Sequence, residues 1–192
     1  SELSPDPIGD SVAPPGCLST CATLATAPLA ASGWGIQKVT VFGVTGSTGS
    51  GRTPKATTHH PERHSGFWAY DPLRHRHSAE ITQMLAALGT PLDISFVPHS
   101  APLSRGMHVT VVANASRPLK RDEVLEQLQA YYSACPLVTV REDFPSVKDV
   151  VGSNRCHIGA TCQDEQVVVV SVIDNLVKGA AGGGLQFLNR ML

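Results

Sequence analysis

Hydrophobic spacing along this chain switches repeatedly between helical and strand periods. Small and apolar residues run from 17 to 31 and read as a helix. Pro28 should interrupt or end it, because proline lacks an N–H and its ring clashes with the carbonyl four residues back. β-Branched and aromatic residues at 39–44, stopped by glycine, read as a strand. From 45 to 66 nearly every position is Gly, Ser, Thr, Pro, His or charged. A polar loop of that length inside a compact domain is commonly functional. Ile81, Met84, Leu85 and Leu88 share one face, which predicts a helix over 78–88 with Ser78 able to cap it. Strands at 94–98 and 107–113 follow, joined by a turn at 102–106. A second amphipathic helix covers 121–134, with Val124, Leu125, Leu128 and Tyr131 on one stripe. Short strands are expected at 137–140 and 157–162. The unbroken apolar run 167–173 predicts a central strand buried on both faces. A final helix is expected over 174–192, weakened by Gly182, Gly183 and Gly184.

That order predicts an α+β domain with a mixed or mainly antiparallel sheet and helices on one face. Residues 1–15, rich in Pro, Ser and Asp, read as a loop or entering tail, and no repeat is evident. The 192 residues, 42% of them apolar, suit a single domain with a real core. A net charge of −1 offers no basic footprint for nucleic acid. No run of roughly 18 apolar residues predicts a membrane span. The opening SELSPDPIGD has neither the basic nor the apolar region of a signal peptide. Five cysteines, an odd number without a secretion signal, point to free thiols and a cytoplasmic setting. No CxxC pair occurs, and the HxH of His75 and His77 lacks an HExxH, so no metal is expected.

Two segments suggest chemistry. The strand at 39–44 leads into Gly43, Gly46 and Gly49, which imitates a dinucleotide fingerprint. In a true fingerprint the glycine turn opens a helix whose N-terminus receives pyrophosphate. Here prolines at 54 and 61 and the absence of apolar periodicity argue against such a helix. Cys17 is the other candidate. It follows Pro14, Pro15 and Gly16 and opens a helical segment, where the dipole and unpaired amides should favour thiolate. The same amides could stabilise an oxyanion. The plain alternative is a small buried residue ahead of a helix.

Six segments in order carry a resemblance to a known family. They are VAPPGCLST (12–20), GVTGSTGSGRTPKATTHHPER (43–63), HRHSAEI (75–81), PHSAPLSRGMHV (98–109), VGSNRC (151–156) and SVIDNLVKGAAG (171–182). Together they resemble the catalytic half of N-acetyl-gamma-glutamyl-phosphate reductases. Departures include Pro14 where the family has Asn, Leu18 and Ser19 after the cysteine, and Gly183 with Gly184 in place of a more polar pair.

The resemblance implies the C-terminal domain fold of the glyceraldehyde-3-phosphate dehydrogenase-like superfamily, with the family's NADPH-binding Rossmann domain absent from 1–192. It implies Cys17 as nucleophile toward a small acyl phosphate, with His75 as first choice and His77 as second for acid–base work. Arg105 is implied for a substrate carboxylate or phosphate, and Arg76 less so. Backbone donors at Ser47, Thr48 and Gly49 are implied for phosphate. Asn175, Lys178 and Gly179 are implied to lie near the nicotinamide; the plain reading of Asn175 is a helix N-cap that Asp174 could equally supply. The implied reaction is NADPH-dependent reduction of N-acetyl-glutamyl 5-phosphate to the 5-semialdehyde in arginine biosynthesis, by a homo-oligomer. Reduction of a carrier-linked aminoadipyl or glutamyl phosphate is an alternative, and a non-catalytic oligomerisation fragment is another.

Overall fold

The computed structural model describes residues 11–192; the N-terminal part of the expected tail lies outside them. Helix α1, Cys17–Ala30, is followed by strand β1, Lys38–Thr45. The polar segment then makes a single 3-10 turn at Ser47–Ser50, another at Ala56–Thr58 and the short helix α2, His60–Arg63. Strand β2, Trp68–Ala69, precedes helix α3, His77–Ala87, and strands β3, Asp93–Ser100, and β4, Met107–Asn114. Helix α4, Arg121–Tyr131, leads to strands β5, Val138–Arg141, β6, Cys156–Gln163, and β7, Gln166–Ile173. A π-helical turn, Val177–Ala181, runs into helix α5, Gly182–Met191.

The strands form one seven-stranded sheet in the order β2-β3-β1-β4-β7-β6-β5. β1 runs parallel to β3 and β5 parallel to β6, while every other neighbouring pair is antiparallel. The mixed, mainly antiparallel expectation therefore holds. Alternation along each strand sorts side chains to two faces. Phe96, Val41, Val111, Val169 and Ala160 make one cross-strand row, all 2% exposed or less. Helix α1 lies over this row and packs on α3 and α4 at its flanks. It is wrapped on most sides, so 11 of its 14 residues are buried. The opposite sheet face carries Phe42, Val44, Val97, Val112 and Val168, none of them fully buried.

Several local expectations are corrected. Pro28 sits in the last turn of α1 without ending it at once. Proline cannot donate to the carbonyl of Leu24, and the Tyr132 hydroxyl donates to that carbonyl instead at 2.6 Å. Ser78 does not cap α3. The helix starts one residue earlier, Arg76 holds the N-cap position, and the Ser78 hydroxyl is buried without a partner. The glycines at 182–184 form the first turn of the final helix, which begins at Gly182 and not at 174. The π turn ahead of it is closed by Gly179 and Ala181 amides donating to the carbonyls of Asp174 and Leu176. Asn154 and Lys178 then fasten Gln186 from two sides. The two-residue strand β2 had no periodicity to announce it. The strands at 94–98 and 107–113 extend to β3 and β4, which are not sheet neighbours: β1 lies between them.

Candidate active site

Cys17 is the first residue of α1, at the end where the backbone N–H groups have no intrahelical partners. The position matches the sequence reading, but the expected lowering of the thiol pKa is corrected. Burial pushes the Cys17 thiol up; hydrogen bonding from the amides of Leu18 and Cys17 and the nearby Arg76 only partly oppose it, and the Glu80 carboxylate adds to the rise. The thiol therefore rests protonated, and a base is needed to arm it.

Two imidazoles stand close by. A methyl group on Gly16 would fall on the ring of His77, so the residue before the cysteine abuts that ring. The rings of His77 and His75 pack edge to face with centroids 4.5 Å apart. His75 Nδ1 accepts the His77 amide at 3.2 Å, which leaves the proton of the neutral ring on Nε2. Burial drives both rings toward the neutral form: the His75 pKa is lowered, and that of His77 falls to about 4. Glu80 reaches from α3 to the start of α1, where its carboxylate accepts the Gly16 amide at 2.8 Å and the Ser19 hydroxyl at 2.7 Å. Its other oxygen is 4.0 Å from His77 Nε2. Burial alone would raise the Glu80 carboxyl, but those two donors, with His77 and Arg76, hold it below the usual range. α1 has no side-chain cap of its own, so Glu80 supplies one from another helix.

Cys17, His75 and His77 line one large, open cavity at the carboxyl ends of β1 and β3, with Thr45 and Ser100 on its floor. Lys55, Arg63, Arg74 and Arg76 also line it, against one carboxylate, Asp71. Tyr70 stands there with its phenol pushed up to about 12, chiefly by burial, so it remains a neutral donor.

The other residues singled out by sequence lie elsewhere or are already engaged. Arg105 lines a different hollow, on the far sheet face with His108 and Val147, and its Nε donates to Asp174 at 2.6 Å. Asp174 is the local hub. It also accepts the amides of Gly152, Leu176 and Val177, and these bonds outweigh its burial to lower its pKa. It therefore plays the capping role that Asn175 had shared in expectation. Asn175 instead accepts the Gly106 amide and donates to Thr48, each within 3.0 Å. The expected phosphate nest does not form, because the amides of Ser47, Thr48 and Gly49 donate to the carbonyls of Leu103, Ser104 and Gly46. Of these three residues only Gly49 borders the cavity of Cys17. Gly179 does meet Cys17: a methyl group there would stand 2.5 Å from Cys17 Cβ.

The described residues do not fit a dinucleotide site. The glycine turn after β1 opens a four-residue 3-10 turn and no helix, while Asn175 and Lys178 are bonded inside the domain. Among the described residues there is also no group of three or more His, Cys, Asp or Glu placed to hold a metal ion.

A family model described as "Semialdehyde dehydrogenase, dimerisation domain" matches residues 17–175. The chain belongs to this semialdehyde dehydrogenase dimerisation-domain family. The N-acetyl-gamma-glutamyl-phosphate reductase of Shouchella clausii is 40% identical over 94% of the chain, and that of Methanosarcina acetivorans 42% identical over 99%. The chain spans only 54% and 57% of those relatives, about half their length. Aspartate semialdehyde dehydrogenase II of Vibrio cholerae superposes with a TM-score of 0.70 at 15% identity, over 91% of the chain and 60% of the neighbour. A probable aspartate-semialdehyde dehydrogenase from Pseudomonas aeruginosa does so at 0.70 and 17%, over 91% and 60%. These likenesses place the fold with the semialdehyde dehydrogenases. In this dimerisation domain, sequence reasoning missed Glu80 and Arg63. Glu80 lay inside the HRHSAEI segment and had a findable signal, since it sits three residues after His77; Arg63, inside a polar loop, had none.

Proposed function

We propose that this chain carries the acyl-transfer half of an NADPH-dependent acyl-phosphate reductase, acting on N-acetyl-glutamyl 5-phosphate in cytoplasmic arginine biosynthesis. The observation that carries the reading is Cys17 at the open end of α1, in one cavity with two neutral imidazoles and four cationic side chains. The neutral ring of His77 takes the thiol proton, since the one lone pair of His75 is engaged by the His77 amide. The sulfur then attacks the acyl carbon, the carbon–sulfur bond forms, and the carbon–oxygen bond to phosphate breaks. Phosphate leaves with that bonding pair, toward a wall whose cations offset its charge. Amides at the start of α1 face the developing oxyanion, and His75 Nε2–H is a second donor to it. The product is a Cys17 thioester. Its reduction to the semialdehyde needs a hydride, for which NADPH is the donor we assign, held by groups beyond this cavity. The open sheet face pairs two copies, in keeping with the family's dimerisation role.

Incubation of the chain with N-acetyl-glutamyl 5-phosphate should release phosphate and leave an acyl adduct on Cys17, found by peptide mass mapping. Cys17→Ser should show no adduct, because an alcohol is a far weaker nucleophile without strong activation. NADPH absorbance should stay flat throughout. Phosphate release that continues in Cys17→Ser, or an adduct on another residue, overturns the assignment.

A further inference from the structure

Arg63 closes α2 in the middle of the polar segment, and it is 6% exposed. Its Nη1 donates to the Ser100 hydroxyl at 2.7 Å, and its Nη2 donates to the carbonyl of Ala101. The guanidinium lies over the ring of Trp68, 5.6 Å from the centroid. Both of its hydrogen-bonded partners are neutral. Its Nε is buried and has no partner, and among the described residues no ion pair to Arg63 is found. A covered guanidinium without a counter-charge is costly, and burial accordingly lowers its pKa. The covering is thin on one side, because Arg63, Trp68 and Ser100 all border the cavity that holds Cys17. A fork of N–H donors preset by a hydroxyl, a carbonyl and an aromatic face suits a planar or tetrahedral oxyanion.

We propose that Arg63 is an oxyanion-binding residue of the Cys17 cavity and takes a charged oxygen group of the substrate, its phosphate or its carboxylate. This inference rests on the acyl-phosphate reading of the site. It gives the substrate-anchoring role expected of Arg105 to a residue that borders the nucleophile's cavity. Arg105, tied to Asp174 on the other face, lacks that access. The incoming anion supplies the missing counter-charge at the edge of the guanidinium that borders the cavity, while Ser100 and Trp68 keep the plane of the fork fixed.

Calorimetric titration of the full chain with N-acetyl-glutamate, and separately with inorganic phosphate, distinguishes the two groups. The wild-type chain should bind at least one of them. Arg63→Gln should weaken that ligand by about 10–100-fold, a single charge-assisted hydrogen-bonding fork. Loss of phosphate alone assigns the phosphoryl end, and loss of N-acetyl-glutamate alone assigns the carboxylate. Arg63→Lys keeps the charge but not the fork and should fall between, so it decides the matter if the glutamine variant does not fold. A wild-type chain that binds neither ligand overturns the proposal, as do folded variants that bind both as the wild type does. The titrations need no turnover and should read the same in Cys17→Ser. A missing Cys17 adduct with an Arg63-dependent affinity therefore sinks the acyl-transfer reading alone, and the reverse result sinks only this one.

Discussion

Gly179 shows how tightly the nucleophile is held. Its backbone approaches Cys17 so closely that a methyl group would stand 2.5 Å from Cys17 Cβ and 3.1 Å from its Cα. Both residues belong to regular turns, so neither can move without disturbing α1 or the π turn. Gly179→Ala should therefore destabilise by about 1–3 kcal/mol, the usual cost of one methyl too many in a packed site. It should also displace the thiol, changing the alkylation rate at Cys17 by a factor of about 10. A melting point and an alkylation rate both equal to wild type would show that the contact is soft. At this scale the sequence disclosed residues whose type alone suggests chemistry: Cys17 behind Gly16, and His75 with His77. It did not disclose that the thiol would be raised, because burial by α3 and the π turn is a tertiary effect that outweighs the local amides. Arg63 and Arg105 were equally plausible as letters. What separates them is that Asp174 satisfies one and, among the described residues, no carboxylate meets the other.

Between elements, Glu80 ties α1, which opens on Cys17, to its own helix α3, which opens on His77. The α1 terminus has no acidic residue in its first turn and no side-chain cap, so this borrowed carboxylate satisfies orphan donors there. Hydrogen bonds to a charged acceptor contribute about 1.5–3 kcal/mol; with the side chain 35% exposed, a discounted figure of about 1–2 kcal/mol is expected for Glu80→Ala. The melting point should fall by roughly 2–8 °C. The pH dependence has a fixed sign. The folded carboxyl is held below its unfolded value, so its contribution is full above the unfolded pKa and disappears as pH falls through the folded one. His77 adds acid sensitivity over a higher range: its ring is neutral in the fold down to about 4, so the unfolded chain gains protons first as pH drops below about 6.5. A wild-type melting point that rose between about pH 6.5 and 4 would contradict the His77 assignment. The helices and long strands were legible because each buries one face and repeats accordingly. The strand order was not, since the apolar run at β7 and the alternation at β1 specify burial but not neighbours. β2 and the π turn are held by β3 and by Asp174, contacts that a local pattern does not encode.

On the scale of the whole molecule, the sheet has one face under helices and one face without them. No described helix is long and apolar enough to cross a membrane, and several apolar residues of the second face are only partly buried. A second copy is the cover proposed above, and the chemistry of that face predicts how the pairing should respond to acid. One row across it reads His99, Val44, His108, Val172, His157, from β3 through β1, β4 and β7 to β6. Three imidazoles thus alternate with two valines, Val44 half-buried and Val172 fully buried, on a face that also bears Phe42 and, stacked on His99 at 5.3 Å, Phe67. Burial lowers the pKa of His108, and burial with Arg141 and Arg155 lowers that of His157, although Asp143 and Asp149 oppose the second shift. Pairing would remove these rings further from water and push them the same way, toward the neutral form. Rings that are neutral in the pair bind protons more readily when it separates, so self-association should weaken in acid, as pH falls through the lowered values that His108 and His157 hold in the separated chain. Sedimentation equilibrium at fixed ionic strength should show a larger dissociation constant at about pH 5 than at about pH 8. His108→Gln, which removes the central titrating ring, should flatten that slope. Association of equal strength at both pH values would mean that the row lies outside the pairing surface, and a chain monomeric at every accessible concentration would mean that the apolar face is covered by something other than its own copy.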